Sequence, residues 1–81
     1  MNSRTVNTEH LKALGQRIRD LRKNIGWTQE ELAERAGIDR SYIGGVERGE
    51  RNLTFLVLCQ ICQALNCDVA TLTQNIPKEY I

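Results

Sequence analysis

The chain has 81 residues, enough for one small domain with a core but not for a second functional domain, and at this size oligomerisation commonly adds stability. Its 41% hydrophobic and 26% charged content, single proline and net charge of +1 are those of a folding domain and exclude a disordered or strongly polyelectrolyte chain. No apolar run is long enough for a membrane span and the first fifteen residues lack a signal peptide's apolar centre, so a cytoplasmic protein is expected.

Residues 1–7 carry Ser, Thr and Asn with no apolar pattern, which predicts a flexible arm whose one charge is Arg4. Asn7 or Thr8 can cap a first helix in which Leu11, Leu14, Ile18, Leu21 and Ile25 recur at intervals of three and four as one buried stripe, and Gly26 closes it. Charge is segregated here: Lys12 to Lys23 carries five bases and one acid, whereas Thr28 to Asp39 carries one base and four acids. Trp27, lying between two helices, is expected to plug packing rather than to bind a ligand.

Thr28 then stands three residues before Glu31, the capping-box spacing, with Trp27 and Leu32 at the staple positions around it. The second helix has an apolar strip of Leu32, Ala33 and Ala36, and Gly37 can end it by taking a positive φ. After Ile38, Asp39 caps a third helix whose Ile43 and Val46 lie one turn apart, leaving Arg40, Ser41 and Gly44 to face elsewhere. The two short helices over residues 28–48 form a tight helix-turn-helix. Two adjacent glycines inside the third helix, Gly44 and Gly45, cost about 1 kcal/mol each relative to alanine, so either close approach of a binding partner or close helix packing should offset them.

A polar loop leads to Thr54, the cap of a fourth helix. Nine of the twelve residues from Thr54 to Leu65 are apolar, more than one face can hold, so that helix must be covered nearly all round. Phe55, Leu58, Cys62 and Leu65 are assigned to the domain's own core; the remaining apolar positions imply cover from the fifth helix or from a second subunit. Asn66 ends the fourth helix and Asp68 caps the fifth, with Cys67 and Leu72 at staple positions, before Pro77 begins a short tail over 77–81. Five helices with no strand pattern make residues 8–76 an all-α, compact five-helix bundle.

Cys59, Cys62 and Cys67 are expected to be free core or interface thiols in preference to a redox pair or a metal site. A zinc site needs four ligands, and the one histidine, His10, is far away in sequence. No cofactor and no small-molecule ligand are implied, and an enzyme is not expected, because the chain has no glycine-rich phosphate loop or spaced carboxylate constellation.

The spaced residues Gln29, Leu32, Ala33, Gly37, Ile43, Glu47 and Gly49 resemble the helix-turn-helix of the phage-repressor and Cro-like family, with its lambda-repressor-like DNA-binding domain. Asp39 through Ile43, then Gly45, Glu47 through Gly49 and Arg51 through Thr54, are similar to the controller proteins of restriction-modification systems. The resemblance spans Leu14 to Leu72 and implies a dimeric, sequence-specific regulator on double-stranded DNA. An antitoxin that binds a toxin and autoregulates through DNA is the alternative, although such proteins usually carry an added toxin-binding segment.

In helix-turn-helix geometry the second helix enters the major groove by its N-terminal residues while the first braces the backbone. Arg40 and Ser41 would then read bases, Arg40 by forking onto guanine, and Tyr42 would lie against the groove wall. Thr28 and Gln29 open a helix whose free amides attract a phosphate. The resemblance adds Arg48, Arg51 and Asn52 as backbone or groove contacts, and Gly45 is a further candidate for DNA contact if close approach of DNA is what offsets the glycines. It also implies that Arg22 pairs with Glu47 and is thereby turned toward the DNA backbone. Homodimerisation is expected from the apolar surplus of the fourth helix.

Overall fold

The computed structural model describes residues 3–77, all of whose regular elements are helical. They are α1 (Ser3–Ile25), α2 (Gln29–Ala36), α3 (Arg40–Glu47), α4 (Phe55–Leu65) and α5 (Val69–Thr73). The five-helix expectation holds among the described residues, but α1 begins at Ser3, ahead of the Asn7 or Thr8 cap. Residues 3–6 contain no proline or glycine, and extending an existing helix avoids the cost of a new nucleus. Most of the expected arm therefore continues α1, while Met1, Asn2 and the tail beyond Pro77 lie outside the described residues.

The ends of the helices follow the side-chain chemistry. Gly26 takes φ +94° and donates to the Arg22 and Lys23 carbonyls as α1 ends. Thr28 and Glu31 form the reciprocal capping box, with bonds of 3.1 and 2.9 Å. Asp39, Thr54 and Asp68 each accept an amide at the start of α3, α4 and α5. Gly37 and Asn66, both left-handed, close α2 and α4.

Ile18, Leu32, Ile43, Ile61 and Leu72, one from each helix, are the largest fully buried side chains and define the centre. Around them α2 packs on α3 and α4, α1 on α3 and α5, and α4 on α5. Polar ties fix the outer corners: Arg17 Nη1 donates to the Leu72 carbonyl at 3.1 Å, and Gln60 Nε2 to the Ala36 carbonyl at 3.3 Å. Trp27 packs against the core as expected, with the Arg35 guanidinium 4.5 Å from its ring centre.

Two apolar assignments need correction. Phe55 is 65% exposed, and the buried stripe of α4 is instead Leu58, Ile61, Cys62 and Leu65. Ile25, at the last turn of α1, is 44% exposed. Periodicity identifies the face of a helix, but not how far along that face its neighbours reach.

Close backbone contact, unread in the sequence, seats α3 on α1. A Cβ on Gly15 would lie 2.2 Å from the Val46 carbonyl oxygen, and one on Gly49, itself at φ +77°, would lie 2.7 Å from the Lys12 Cα. Only glycine permits this approach. It holds the C-terminal end of α3 at a fixed height above α1.

Candidate nucleic-acid interface

The interface is built outward from a buried ion pair. Arg22 of α1 and Glu47 of α3 are each 7% exposed. Arg22 Nε and Nη2 donate to the two Glu47 carboxylate oxygens at 2.7 and 2.9 Å, and Nη1 donates to the Trp27 carbonyl at 2.8 Å. Burial by itself would raise the Glu47 pKa; the hydrogen bonds from Arg22 and Gln29 outweigh it and hold the carboxyl below its ordinary value. The bond to Glu47 in turn raises the Arg22 pKa, so both groups stay charged. The implied pairing is present, but the geometry turns Arg22 inward and uses its donors within the domain.

Gln29, half-buried at the start of α2, extends this pair to the surface. Its Nε2 donates to Glu47 Oε1 at 3.0 Å and its Oε1 accepts from Arg40 Nη1 at 3.1 Å. One amide thus links the first residue of α3 to the ion pair at its other end. Gly44 lies beneath it: a Cβ there would make an ordinary contact of 3.6 Å with Gln29 Oε1 and a tight one of 3.2 Å with Arg48 Nη1.

Gly45 has a similar role toward the following loop, since a Cβ there would stand 3.1 Å from Arg51 Cγ and 3.2 Å from its Nε. The Arg51 guanidinium also lies 5.2 Å from the centre of the Tyr42 ring, and Tyr42 is half-buried against the core. Polar side-chain ends fill the space over both glycines, so close backbone packing against α2 or α4 does not explain them. Ser41 is exposed and gives both its amide and its hydroxyl to Asp39, whose pKa is lowered chiefly by that hydroxyl. Arg48 is exposed and pairs with Glu50 at 3.1 Å, while Thr28 and Asn52 are exposed at the start of α2 and in the loop.

A helix-turn-helix family model matches residues 18–72, which include every part of this constellation. The chain belongs to that helix-turn-helix family. It is 44% identical over 59 residues to control protein C.SmaI of Serratia marcescens, covering 73% of this chain and 70% of that protein. The crystal structure of the restriction-modification controller protein C.AhdI from Aeromonas hydrophila superposes with a TM-score of 0.75 at 45% identity, covering 76% of this chain and 94% of that one. The tetramer of controller protein C.Esp1396I in complex with its 35 base-pair operator matches with a TM-score of 0.76 at 35% identity, over 85% and 91% of the two chains.

For this helix-turn-helix protein, sequence reading named most of the side chains that cluster here but missed two of their connections. Gln29 was matched as a phosphate-side residue, yet its contacts with Arg40 and Glu47 depend on the crossing of α2 and α3. The seating of Arg51 over Gly45 depends on the path of the loop. Gly45 was the one available signal for the second.

Proposed function

We propose that this chain is a sequence-specific DNA-binding transcriptional regulator of the restriction-modification controller type, acting as a dimer on a two-fold operator. The observation that carries the reading is the charge arrangement on α3. Its one acid, Glu47, is buried and neutralised by Arg22, while Arg40, Arg48 and Arg51 stand exposed at its two ends. With Glu47 neutralised, the three exposed arginines outweigh the exposed acids Asp39 and Glu50 that flank α3, a balance that suits phosphate and base edges.

In this reading Arg40 and Ser41 read bases, Tyr42 and Asn52 meet the groove wall or sugar-phosphate, and the start of α2 at Thr28 and Gln29 receives a phosphate. Arg48 and Arg51 hold the backbone or the groove, Gly45 leaves room for Arg51, and Arg22 acts at one remove by positioning Glu47 and Gln29. The protein works in the cytoplasm without cofactor, small-molecule ligand or catalysis. A second copy covers Phe55 and Leu56, which are 65% and 75% exposed on the first turn of α4. Selection of bound duplexes from a random pool tests the reading: a two-fold repeated sequence is expected, and enrichment of no sequence, or of an unrepeated one, would contradict it.

A further inference from the structure

Cys62 and Cys67 occupy special places in the turn between α4 and α5. The Asn66 amide donates to the Gln63 carbonyl at 3.2 Å and the Cys67 amide to the Cys62 carbonyl at 3.0 Å, with Asn66 left-handed at φ 56°. This paired closure ordinarily brings the side chains of its first and last residues into contact, a place usually taken by two apolar groups. Here both are thiols. Their surroundings differ, since Cys62 is buried in the core while Cys67 is half-buried, and both line a groove of about 430 Å³ with Cys59, Leu56 and Val69.

We propose, in place of the inert thiols expected from the sequence, that Cys62 and Cys67 form a reversible modification site, an intrachain disulfide made by a hydroperoxide that enters at the Asp68–Val69 end of this groove, away from the Leu56 that a second copy covers. The Cys67 sulfur attacks the peroxide O–O bond and gives up its proton; a sulfenic acid forms, and the departing oxygen takes up that proton and leaves as water or an alcohol. The Cys62 sulfur then displaces the hydroxyl group, which leaves as water with the Cys62 proton. Two thiols lose two electrons in all, and one hydroperoxide is reduced. The order follows from the setting: burial and the neighbouring Cys67 push the Cys62 thiol up to about 12, so Cys62 stays protonated until its partner is oxidised. A disulfide spans Cα separations of about 4.4–6.8 Å, the scale of residues joined by one direct backbone hydrogen bond. Among the described residues no three His, Cys, Asp or Glu side chains are disposed to hold a metal ion, so the thiol pair offers redox rather than ligand chemistry. The proposal is independent of the DNA reading.

The test treats the full chain, without DNA, with stoichiometric hydrogen peroxide, blocks remaining thiols with an alkylating agent, and maps peptides by mass with and without reductant. The expected product is a single covalent chain, not crosslinked to its partner and lacking two hydrogens, with Cys62 joined to Cys67 and Cys59 alkylated; dithiothreitol restores three thiols. The Cys59→Ser variant should form the same bond and Cys67→Ser should not. A disulfide that uses Cys59, an interchain bond, or Cys67 carrying oxygen beside an alkylatable Cys62 would overturn the assignment, and the unmodified chain decides this even where a variant fails to fold.

Discussion

Glu47 is the residue on which both stability and surface charge depend. Its pKa is depressed in the fold, so its contribution is present above the ordinary carboxylate range and is lost as pH falls through the depressed value. Denaturant unfolding of the wild type should therefore weaken below about pH 4, and Glu47→Gln should remove that part of the pH dependence. Breaking a buried pair leaves an uncompensated charge, so Arg22→Ala or Glu47→Ala should each cost about 3–5 kcal/mol, with the double variant well short of the sum. Additive losses would show that the two side chains do not act together. Arg40 and Arg48 should differ in kind. Arg40→Ala should cost about 1–3 kcal/mol on the operator and flatten preference at one base pair per half-site. The exposed Arg48–Glu50 pair is worth at most about 1 kcal/mol, so Arg48 is free to turn to phosphate, and Arg48→Ala should weaken operator and random DNA alike. It should also lower the salt slope by about one unit, and equal loss of base preference in both variants would contradict this division.

The helices themselves were legible because their signals are local. The caps at Thr28, Asp39, Thr54 and Asp68, and the stops at Gly26, Gly37 and Asn66, lie where the chain's own hydrogen-bonding chemistry puts them. The relations between helices were less legible. Gly15 carries no signal of its own inside the first helix, yet it marks where the α3 carbonyls meet α1. Phe55 kept the phase of the core stripe and yet lies on the surface, because the extent of a neighbour's cover is not written in one helix's periodicity. Within the interface, the Arg22–Glu47 pair was expected from the resemblance, whereas the Gln29 link and the Arg51 seat required knowledge of how α2, α3 and the loop cross. Gly15→Ala tests the contact between α1 and α3. It should destabilise by at least about 1–3 kcal/mol, since backbone atoms cannot yield as side-chain ends can. An unchanged unfolding midpoint would mean that the two helices can separate without cost.

For the whole molecule, a domain of this size leaves Phe55 and Leu56 in water unless another surface covers them. Sedimentation at micromolar concentration should show two chains, and the double variant Phe55→Asp, Leu56→Asp should sediment as one folded chain; a wild-type monomer, with or without DNA, would contradict the dimer. Pairing two domains also doubles the reading heads, α3 of each copy facing one half-site, which links the apolar face of α4 to specificity. The most direct measurement is titration of the selected two-fold duplex and of a scrambled duplex across a salt series, with the number of bound chains determined in parallel. The account predicts two chains, or a multiple of two, on the selected site and affinity at least about a thousandfold above the scrambled duplex at physiological salt. Equal affinity for both duplexes, with the same salt slope, would contradict it.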